Sequence, residues 1–203
     1  MTQQIKAVML VCTLSSSPAK SSSNKIAHDI GKHLSEYGVD CSYYRLVDYC
    51  IKPGNDIDMG DGDQWPEIRN QIIESDILIF SSPTWVGHMS SVAQRALERM
   101  DAEISIEDDY GRPGMFNKVA GVAVVGNEDG AHKIYGDIFQ ALNDIGFTLP
   151  AHAATYWNDE ATGGRNYKDL EEVPKAVEAT TATLAKNVYH LAKILKTNHY
   201  PAF

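Results

Sequence analysis

Short apolar runs alternate along the chain with segments in which apolar residues recur every three or four positions. This alternation is typical of α/β units that build a parallel sheet. Strands are predicted over residues 5–12, 39–46, 77–82, 118–126 and 147–153. The first run is almost continuously apolar, which predicts a strand covered on both faces. The second run alternates and the last contains Pro150, so both are predicted at the edges of the sheet.

Helical periodicity predicts one helix after each of these strands. The apolar stripes fall within residues 23–38, 65–72, 91–100, 134–146 and 173–195. Ser91 and Gln94 form a capping box that predicts the start of the third helix, and Gly146 closes the fourth. Five parallel strands with two edges fit a doubly wound, three-layer α/β fold with strand order 2-1-3-4-5. No linker or internal repeat interrupts the pattern, so residues 1–203 are predicted to form one domain.

Charge and cysteine content narrow the possible classes of function. The chain has 27 acidic and 18 basic residues, and the basic residues form no run, which argues against nucleic-acid binding. Cys12, Cys41 and Cys50 are too widely spaced for a disulfide framework or a C-x-x-C motif. The apolar run at residues 7–14 lacks a basic leader and is much shorter than the roughly 18 residues of a membrane span. We therefore predict a cytoplasmic protein with reduced thiols and no membrane span.

The loop after the first strand has the residue types of a phosphate site. In a sheet of this order, ligands bind beyond the carboxyl ends of strands one, three and four. Residues 15–25 read SSSPAKSSSNK and lead into the first helix. Hydroxyl groups and backbone amides at a helix N-terminus favour an anion, because that end carries partial positive charge. Taken alone, the string is also compatible with a solvated serine-rich loop.

The loop after the third strand reads SSPTWVGHMSSVAQ over residues 81–94. Pro83 fixes a turn, Trp85 offers a flat aromatic wall, and Gly87 permits close backbone approach. These features suit a flat heterocycle whose edge meets main-chain groups. The alternative is that Trp85 is a core residue at a tight turn.

The loop after the fourth strand reads VVGNEDGAH over residues 124–132. Gly126 and Gly130 again permit close approach, while Asn127 and Glu128 offer hydrogen bonds at the start of the next helix. As an isolated string, the loop is equally compatible with an ordinary helix N-terminus.

Together the three loops resemble those of the NADPH-dependent FMN reductases and related NAD(P)H oxidoreductases of the flavodoxin-like superfamily. Ser17-Pro18 and Ser23-Asn24 resemble the ends of that family's phosphate loop, and Lys25 stands where a threonine is often found. SSPTWVG resembles its proline-aromatic-glycine loop, and GNEDGAH its third flavin loop. The cofactor-binding residues predicted from the loops and the resemblance are Ser15, Ser17, Ser22, Ser23, Asn24, Lys25, Pro83, Thr84, Trp85, Val86, Gly87, Gly126, Asn127, Glu128, Gly130 and Ala131.

The resemblance implies a flavodoxin-like fold, FMN as cofactor, NAD(P)H as co-substrate, a small-molecule electron acceptor, and a homodimer or homotetramer. No side-chain acid or base is assigned, because the cofactor performs the chemistry. An electron-carrying flavodoxin without direct NAD(P)H reactivity is an alternative, as is a flavin-free module that binds another anion. Metal binding is not predicted, since the histidines lack metal-ligand spacing. His88, His132, Tyr156 and Trp157 lie near these loops, and packing or capping is the favoured role for each.

Overall fold

The central sheet has five parallel strands in the order β2-β1-β3-β5-β6. A computed structural model describes residues 4–160 and 163–202. The parallel strands are β1 (Lys6–Val11), β2 (Asp40–Arg45), β3 (Ile77–Trp85), β5 (Val119–Gly126) and β6 (Ala154–Asn158). A two-residue strand, β4 (His88–Met89), folds back antiparallel onto the end of β3. Apart from this hairpin, the predicted doubly wound order is confirmed.

Helices cover both faces of the sheet. They are α1 (Ser22–Glu36), α2 (Trp65–Glu74), α3 (Ser91–Met100), α4 (Ala131–Ile145) and α5 (Lys175–Leu195). Apolar residues of α1 and α5 share one core cluster with one face of the strands. Those of α2, α3 and α4 share the other cluster. None of the described helices combines the length and the apolar composition that a bilayer crossing requires.

The continuous apolar runs reflect burial on both faces of the central strands. In β1, Val8 and Leu10 pack into one cluster, whereas Met9 and Val11 pack into the other. All four side chains are fully buried. Since full burial of such a side chain is worth about 1.5–3 kcal/mol, neither face tolerates a polar residue.

The fifth parallel strand differs from its prediction. Residues 147–153 were predicted as the strand, but the strand is β6, at Ala154–Asn158. Phe147 is buried in the core, whereas Thr148 makes only an isolated bridge to Val119. The Ala153 carbonyl also accepts the Val122 N–H at 2.8 Å. The segment nevertheless forms no continuous ladder with β5, and Pro150 lacks the N–H that a ladder needs.

Two element ends near the sheet's carboxyl edge also differ from prediction. The N-cap of α3 is Ser90, not Ser91, because the Ser90 Oγ accepts the Ala93 N–H at 3.1 Å. The same hydroxyl donates to the Cys12 carbonyl at 2.6 Å and ties α3 to the end of β1. Strand β3 runs three residues past its predicted end to Trp85, because β4 pairs with Thr84 and Trp85. Gly146 closes α4 as predicted, with a φ of 114°.

Candidate functional site

A cleft of about 250 Å³ lies beyond the carboxyl ends of β1, β3 and β5. The three predicted loops form most of its wall, and a fourth segment completes it. The lining residues are Thr13, Leu14, Ser15, Lys20, Ser21, Ser22 and Ser23 from the first loop, Pro83, Thr84 and Trp85 from the second, Val125, Gly126 and Asn127 from the third, and Asn166, Tyr167 and Lys168 from the fourth.

The lining of the cleft is cationic although the protein is acidic. The whole chain has a formal net charge of -9. The cleft lining contains two lysines, Lys20 and Lys168, and none of the described lining residues is an aspartate or glutamate. Such a local excess of positive charge attracts and retains an anion.

The first loop brings hydroxyl groups to the N-terminus of α1. The Ser21 side chain caps the helix by accepting the Asn24 N–H at 3.2 Å. The Ser22 Oγ accepts the Lys168 N–H at 3.2 Å. The Ser23 Oγ is buried and has no hydrogen-bond partner within the described part of the chain. A buried hydroxyl without a partner costs free energy, so this group is a candidate ligand contact.

Three predicted residues of the first loop are not among the residues that line the cleft. Ser17 donates from N and Oγ to the Asp48 carboxylate, at 2.8 and 2.6 Å. The Lys25 Nζ donates to the carbonyl oxygens of Tyr167 and Leu170, both at 3.1 Å. Asn24 contributes its backbone N–H to the Ser21 cap. Ser17 therefore fixes the first loop against Asp48, and Lys25 fixes residues 167–170 against α1.

The second loop forms the tip of the β3–β4 hairpin. Val86 and Gly87 both have positive φ, 53° and 71°, as a tight hairpin turn requires. Trp85 is 51% exposed, which excludes the alternative of a core residue. Pro83, Thr84 and Trp85 line the cleft, and the buried Thr84 Oγ1 lacks a partner among the residues described.

The third loop packs directly on the second. A Cβ on Gly126 would lie 2.8 Å from the Thr84 Cβ, so only glycine allows this approach. A Cβ on Gly130 would lie 3.0 Å from the Gly87 Cα, and its φ is 133°. The Val86 N–H meets the Glu128 Oε1 at the long distance of 3.4 Å. Gly126 and Asn127 reach the cleft, whereas Ala131 is buried at the start of α4.

The fourth segment of the wall was missed by the sequence reasoning. Residues 166–168 overlap a short 3-10 helix, Tyr167–Asp169, that follows β6. No element or site is predicted there, because neither apolar periodicity nor a motif marks these residues. Lys20 was likewise passed over in favour of Lys25. Only the folded chain brings both lysines to the cleft.

The neighbouring histidines and aromatic residues have packing roles. The His88 Nδ1 lies 3.2 Å from the Lys133 Nζ, and the His132 ring packs edge-on against Tyr156. Trp157 is almost fully buried and packs against Tyr167. Among the described residues, no cluster of three or more His, Cys, Asp or Glu is placed to hold a metal ion.

Two other cavities, of about 290 and 610 Å³, lie beside the C-terminal half of α5. Both are lined by Tyr37, Tyr189 and Lys193. One of them includes Ile5, which precedes the amino end of β1, so it lies at the opposite edge of the sheet. We place the functional site in the smaller cleft, because ligands of doubly wound sheets bind at the carboxyl ends of the strands.

The fold agrees with comparisons to known proteins. The chain belongs to the NADPH-dependent FMN reductase family, whose model matches residues 9–162. It is a flavin oxidoreductase with a flavodoxin-like fold. A flavodoxin from Streptococcus pneumonia shares the fold at 14% identity and a TM-score of 0.57, covering 93% of this chain and 99% of that one. The resemblance noted from the three loops is confirmed.

One curated relative is 8-demethyl-8-aminoriboflavin-5'-phosphate synthase from Streptomyces davaonensis, 28% identical over 97% of this chain and 80% of that protein. The structure of RosB with bound 8-demethyl-8-formylriboflavin-5'-phosphate has a TM-score of 0.87 and 27% identity, covering 97% of this chain and 82% of that one. The chain is also 28% identical to the divalent metal cation transporter MntH from Mycobacterium bovis. That match covers 95% of this chain and 29% of the transporter's length.

Proposed function

We propose that the cleft binds FMN and that the enzyme transfers electrons from NAD(P)H through the flavin to a small acceptor. The observation that carries the proposal is the chemistry of the cleft wall. Two lysines and no carboxylate line it, and the hydroxyls of Ser23 and Thr84 are buried there without partners in the described chain. A ligand with an anionic tail and a polar-edged ring would satisfy both hydroxyls and the positive charge.

The residues present suit each part of such a ligand. The hydroxyls of Ser15, Ser22 and Ser23 and the first backbone amides of α1 would hold the phosphate. Thr84 and Asn127 would meet the polar edge of the ring system. Half of the sixteen predicted residues line the cleft, and Lys168 and Lys20 take the cationic role that the sequence gave to Lys25.

The chain's own contribution to the reaction is orientation and polarisation. Bound FMN supplies the two-electron chemistry that accepts hydride from a reduced nicotinamide. Trp85 and the exposed turn beside it leave one end of the cleft open, which gives a co-substrate access. Backbone N–H groups of residues 84–87 would stabilise negative charge that develops at the ring edge. No side-chain acid or base is required of the residues that line the cleft.

The proposal is tested by loading the purified protein with FMN and adding NADH or NADPH without oxygen. Loss of the flavin absorbance near 450 nm in a stopped-flow instrument is expected for at least one nicotinamide, on the order of seconds or faster. Absence of FMN uptake would contradict the proposed cofactor. FMN uptake without reaction with either nicotinamide would instead favour the electron carrier.

A serine pair makes the test specific to the cleft. Ser23→Ala should weaken FMN binding about fivefold, because a buried hydroxyl loses its contact with a charged ligand. The same change should leave the unliganded protein as stable as before, since this hydroxyl has no hydrogen-bond partner to lose among the described residues. Ser35→Ala is the control near the other end of α1. It removes an exposed hydroxyl that donates to the Lys32 carbonyl at 2.6 Å, so it should leave FMN binding unchanged and alter stability only slightly. An equal effect of both variants would contradict the assignment.

A second candidate function follows from the similarity to RosB. That structure has a TM-score of 0.87 and contains a riboflavin-5'-phosphate derivative described as an intermediate. FMN could accordingly be a substrate that this enzyme modifies. Mass spectrometry of the flavin recovered after incubation with FMN separates the two functions. An unchanged flavin mass with steady NAD(P)H oxidation supports the reductase, and a changed mass supports the modifying enzyme.

The predicted homodimer or homotetramer remains a prediction. Leu14, Trp85 and Val86 are all exposed near the open end of the cleft, at 46%, 51% and 85%. Exposed apolar residues around a ligand site are compatible with a subunit interface. Light scattering of the purified protein measures the oligomeric state directly.

A further inference from the structure

Residues 166–168 form a wall of the cleft that lies outside the part of the chain matched by the family model. The match ends at residue 162. Asn166, Tyr167 and Lys168 nevertheless line the cleft opposite the hairpin turn, beside the hydroxyls of the first loop. We call these three residues the clasp.

Two residues of α1 fix the position of the clasp. The Lys25 Nζ donates to the carbonyl oxygens of Tyr167 and Leu170 and lies 4.9 Å from the centre of the Tyr167 ring. One helical turn later, the Asp29 Oδ2 accepts the Tyr167 hydroxyl proton at 2.7 Å. Burial and the Asp29 carboxylate raise the pKa of Tyr167, so the phenol stays protonated and remains the donor. The clasp is therefore held on the helix whose N-terminus faces the cleft.

The clasp places a lysine where the first loop offers its hydroxyls. The Lys168 N–H donates to the Ser22 Oγ at 3.2 Å, which fixes the backbone at that position. The Lys168 Nζ lies 3.5 Å from the Lys20 carbonyl oxygen. Both lysines are exposed residues of the cleft lining, so their ammonium groups can meet an anion without burying a lone charge. The nearby Ser23 Oγ, in a residue only 1% exposed, lacks a partner in the described chain. This buried hydroxyl is the second, independent indication of a ligand at this end of the cleft.

Resting on the proposed FMN binding, we propose that the clasp makes the site selective for flavins with a 5'-phosphate over flavins without one. Lys168 is the cation that binds the phosphate, and Lys25 is a positioning residue that acts through the clasp. Each ammonium group beside a phosphate dianion strengthens its binding through a charge-assisted hydrogen bond. A flavin that ends in a hydroxyl group lacks that charge, so neither lysine adds much to its affinity. The phosphate end of the ligand thus decides which flavins are retained.

The test titrates the flavin-free protein with FMN and, separately, with riboflavin, following quenching of flavin fluorescence. Lys168→Met should weaken FMN binding about tenfold and change riboflavin binding less than about twofold, because only FMN carries the charge. Lys168→Arg retains the cation and should restore most of the affinity for FMN. Lys186→Met removes an exposed lysine of α5 outside the cleft and is the matched control, expected to change neither affinity.

The positioning role of Lys25 predicts a second pattern. Lys25→Met should lower the FMN-to-riboflavin affinity ratio, because the clasp loses the hydrogen bond to the Tyr167 carbonyl and the chain just after it loses the one to the Leu170 carbonyl. The double variant, Lys25→Met with Lys168→Met, should bind FMN only slightly more weakly than Lys168→Met alone. Both changes remove the same interaction, the one between Lys168 and the phosphate. A purely structural role for Lys25 would reduce binding of both flavins equally and leave the ratio unchanged. The thermal unfolding midpoint of each variant shows that the protein stays folded.

The outcomes separate this inference from the proposed function. If the wild-type protein binds neither flavin, the proposed function and the inference both fail. If it binds FMN and riboflavin equally well, or if Lys168→Met weakens both equally, the FMN site stands and the clasp proposal is overturned. Unchanged FMN affinity in Lys168→Met also overturns it. A loss confined to FMN supports it.

Discussion

The two ends of the cleft are built in opposite ways. At the phosphate end, formed by the first loop and the clasp, neighbouring elements hold the backbone on both sides. The Asp48 carboxylate accepts hydrogen bonds from the Ser17 N–H and the Ser17 hydroxyl. The Arg45 Nη1 donates to the Ala19 carbonyl at 2.9 Å. Lys25 holds the clasp on the other side. At the ring end, formed by residues 83–87, Val86 is 85% exposed and sits at a φ of 53°.

This difference indicates which part of the site is organised before a ligand arrives. A small, highly charged group is bound best by donors that are already fixed, because ordering them on binding would cost affinity. The turn at the ring end has few such supports and places the β-branched Val86 in the left-handed region, which costs roughly 1–2 kcal/mol. We infer that the phosphate end sets affinity, whereas the ring end adapts to the ring system and the co-substrate.

The largest effect is expected from removing the anchor of the phosphate end. Tyr167→Ala should lower the free energy of unfolding by about 3 kcal/mol, because a fully buried aromatic ring is replaced by a cavity. It should also weaken FMN binding, since the clasp loses its anchor on Asp29 and Trp157. Urea unfolding of the flavin-free protein, followed by circular dichroism, measures the first effect, and a fluorescence titration measures the second.

Tyr156→Ala is the control for that prediction. Tyr156 lies on β6 one residue before Trp157 and is 38% exposed. Its removal should change the free energy of unfolding much less, by no more than about 1 kcal/mol. Equal losses in the two variants would show that the clasp is not the firmly held element described above.

At the ring end the expected effect is smaller and of a different kind. Trp85→Ala should leave the free energy of unfolding within about 0.5 kcal/mol of the wild type, because half of the side chain is already exposed. FMN binding should weaken about fivefold, since the ligand ring loses an aromatic partner. Chemical unfolding and a fluorescence titration give the two values. A large loss of stability would mean that the turn is as preorganised as the phosphate end.

The smallest effect is expected at the link between Asp48 and Ser17. Burial tends to raise the pKa of Asp48, but the hydrogen bonds from Ser17 and the charge of Arg45 outweigh it and lower the pKa below the ordinary value of 3.8. A lowered pKa in the folded state means that the carboxylate stabilises the fold above about pH 4. That contribution is lost as the pH falls through the folded-state pKa.

Asp48→Asn tests this link. Its thermal midpoint should lie about 1–2 °C below that of the wild type at pH 7, because the bond is exposed and weak. The difference should be smaller at pH 3, because the contribution begins to fall once the pH drops below the ordinary pKa of 3.8. A difference that grows on acidification would contradict the sign derived from the lowered pKa. Differential scanning calorimetry at both pH values provides the measurement.

Much of the fold and three walls of the site could be predicted because their signals are local. A strand buried on both faces must be apolar at successive positions, as in β1 and β5. The order of such strands and the carboxyl-end rule then place the three loops at one cleft. The fifth strand was misplaced because Phe147 is buried by packing alone, and an apolar run does not reveal whether its backbone pairs.

The sequence by itself determined the α/β architecture, the three glycine- and serine-bearing loops and the family resemblance, since each depends on residues close together in the chain. Only the tertiary structure decided which lysines line the cleft. Lys25, predicted to face the ligand, instead binds the Tyr167 carbonyl 142 positions away, and the clasp brings Lys168 to the cleft. Such long-range contacts leave no periodic pattern, because they depend on where β6 and the segment after it pack against α1.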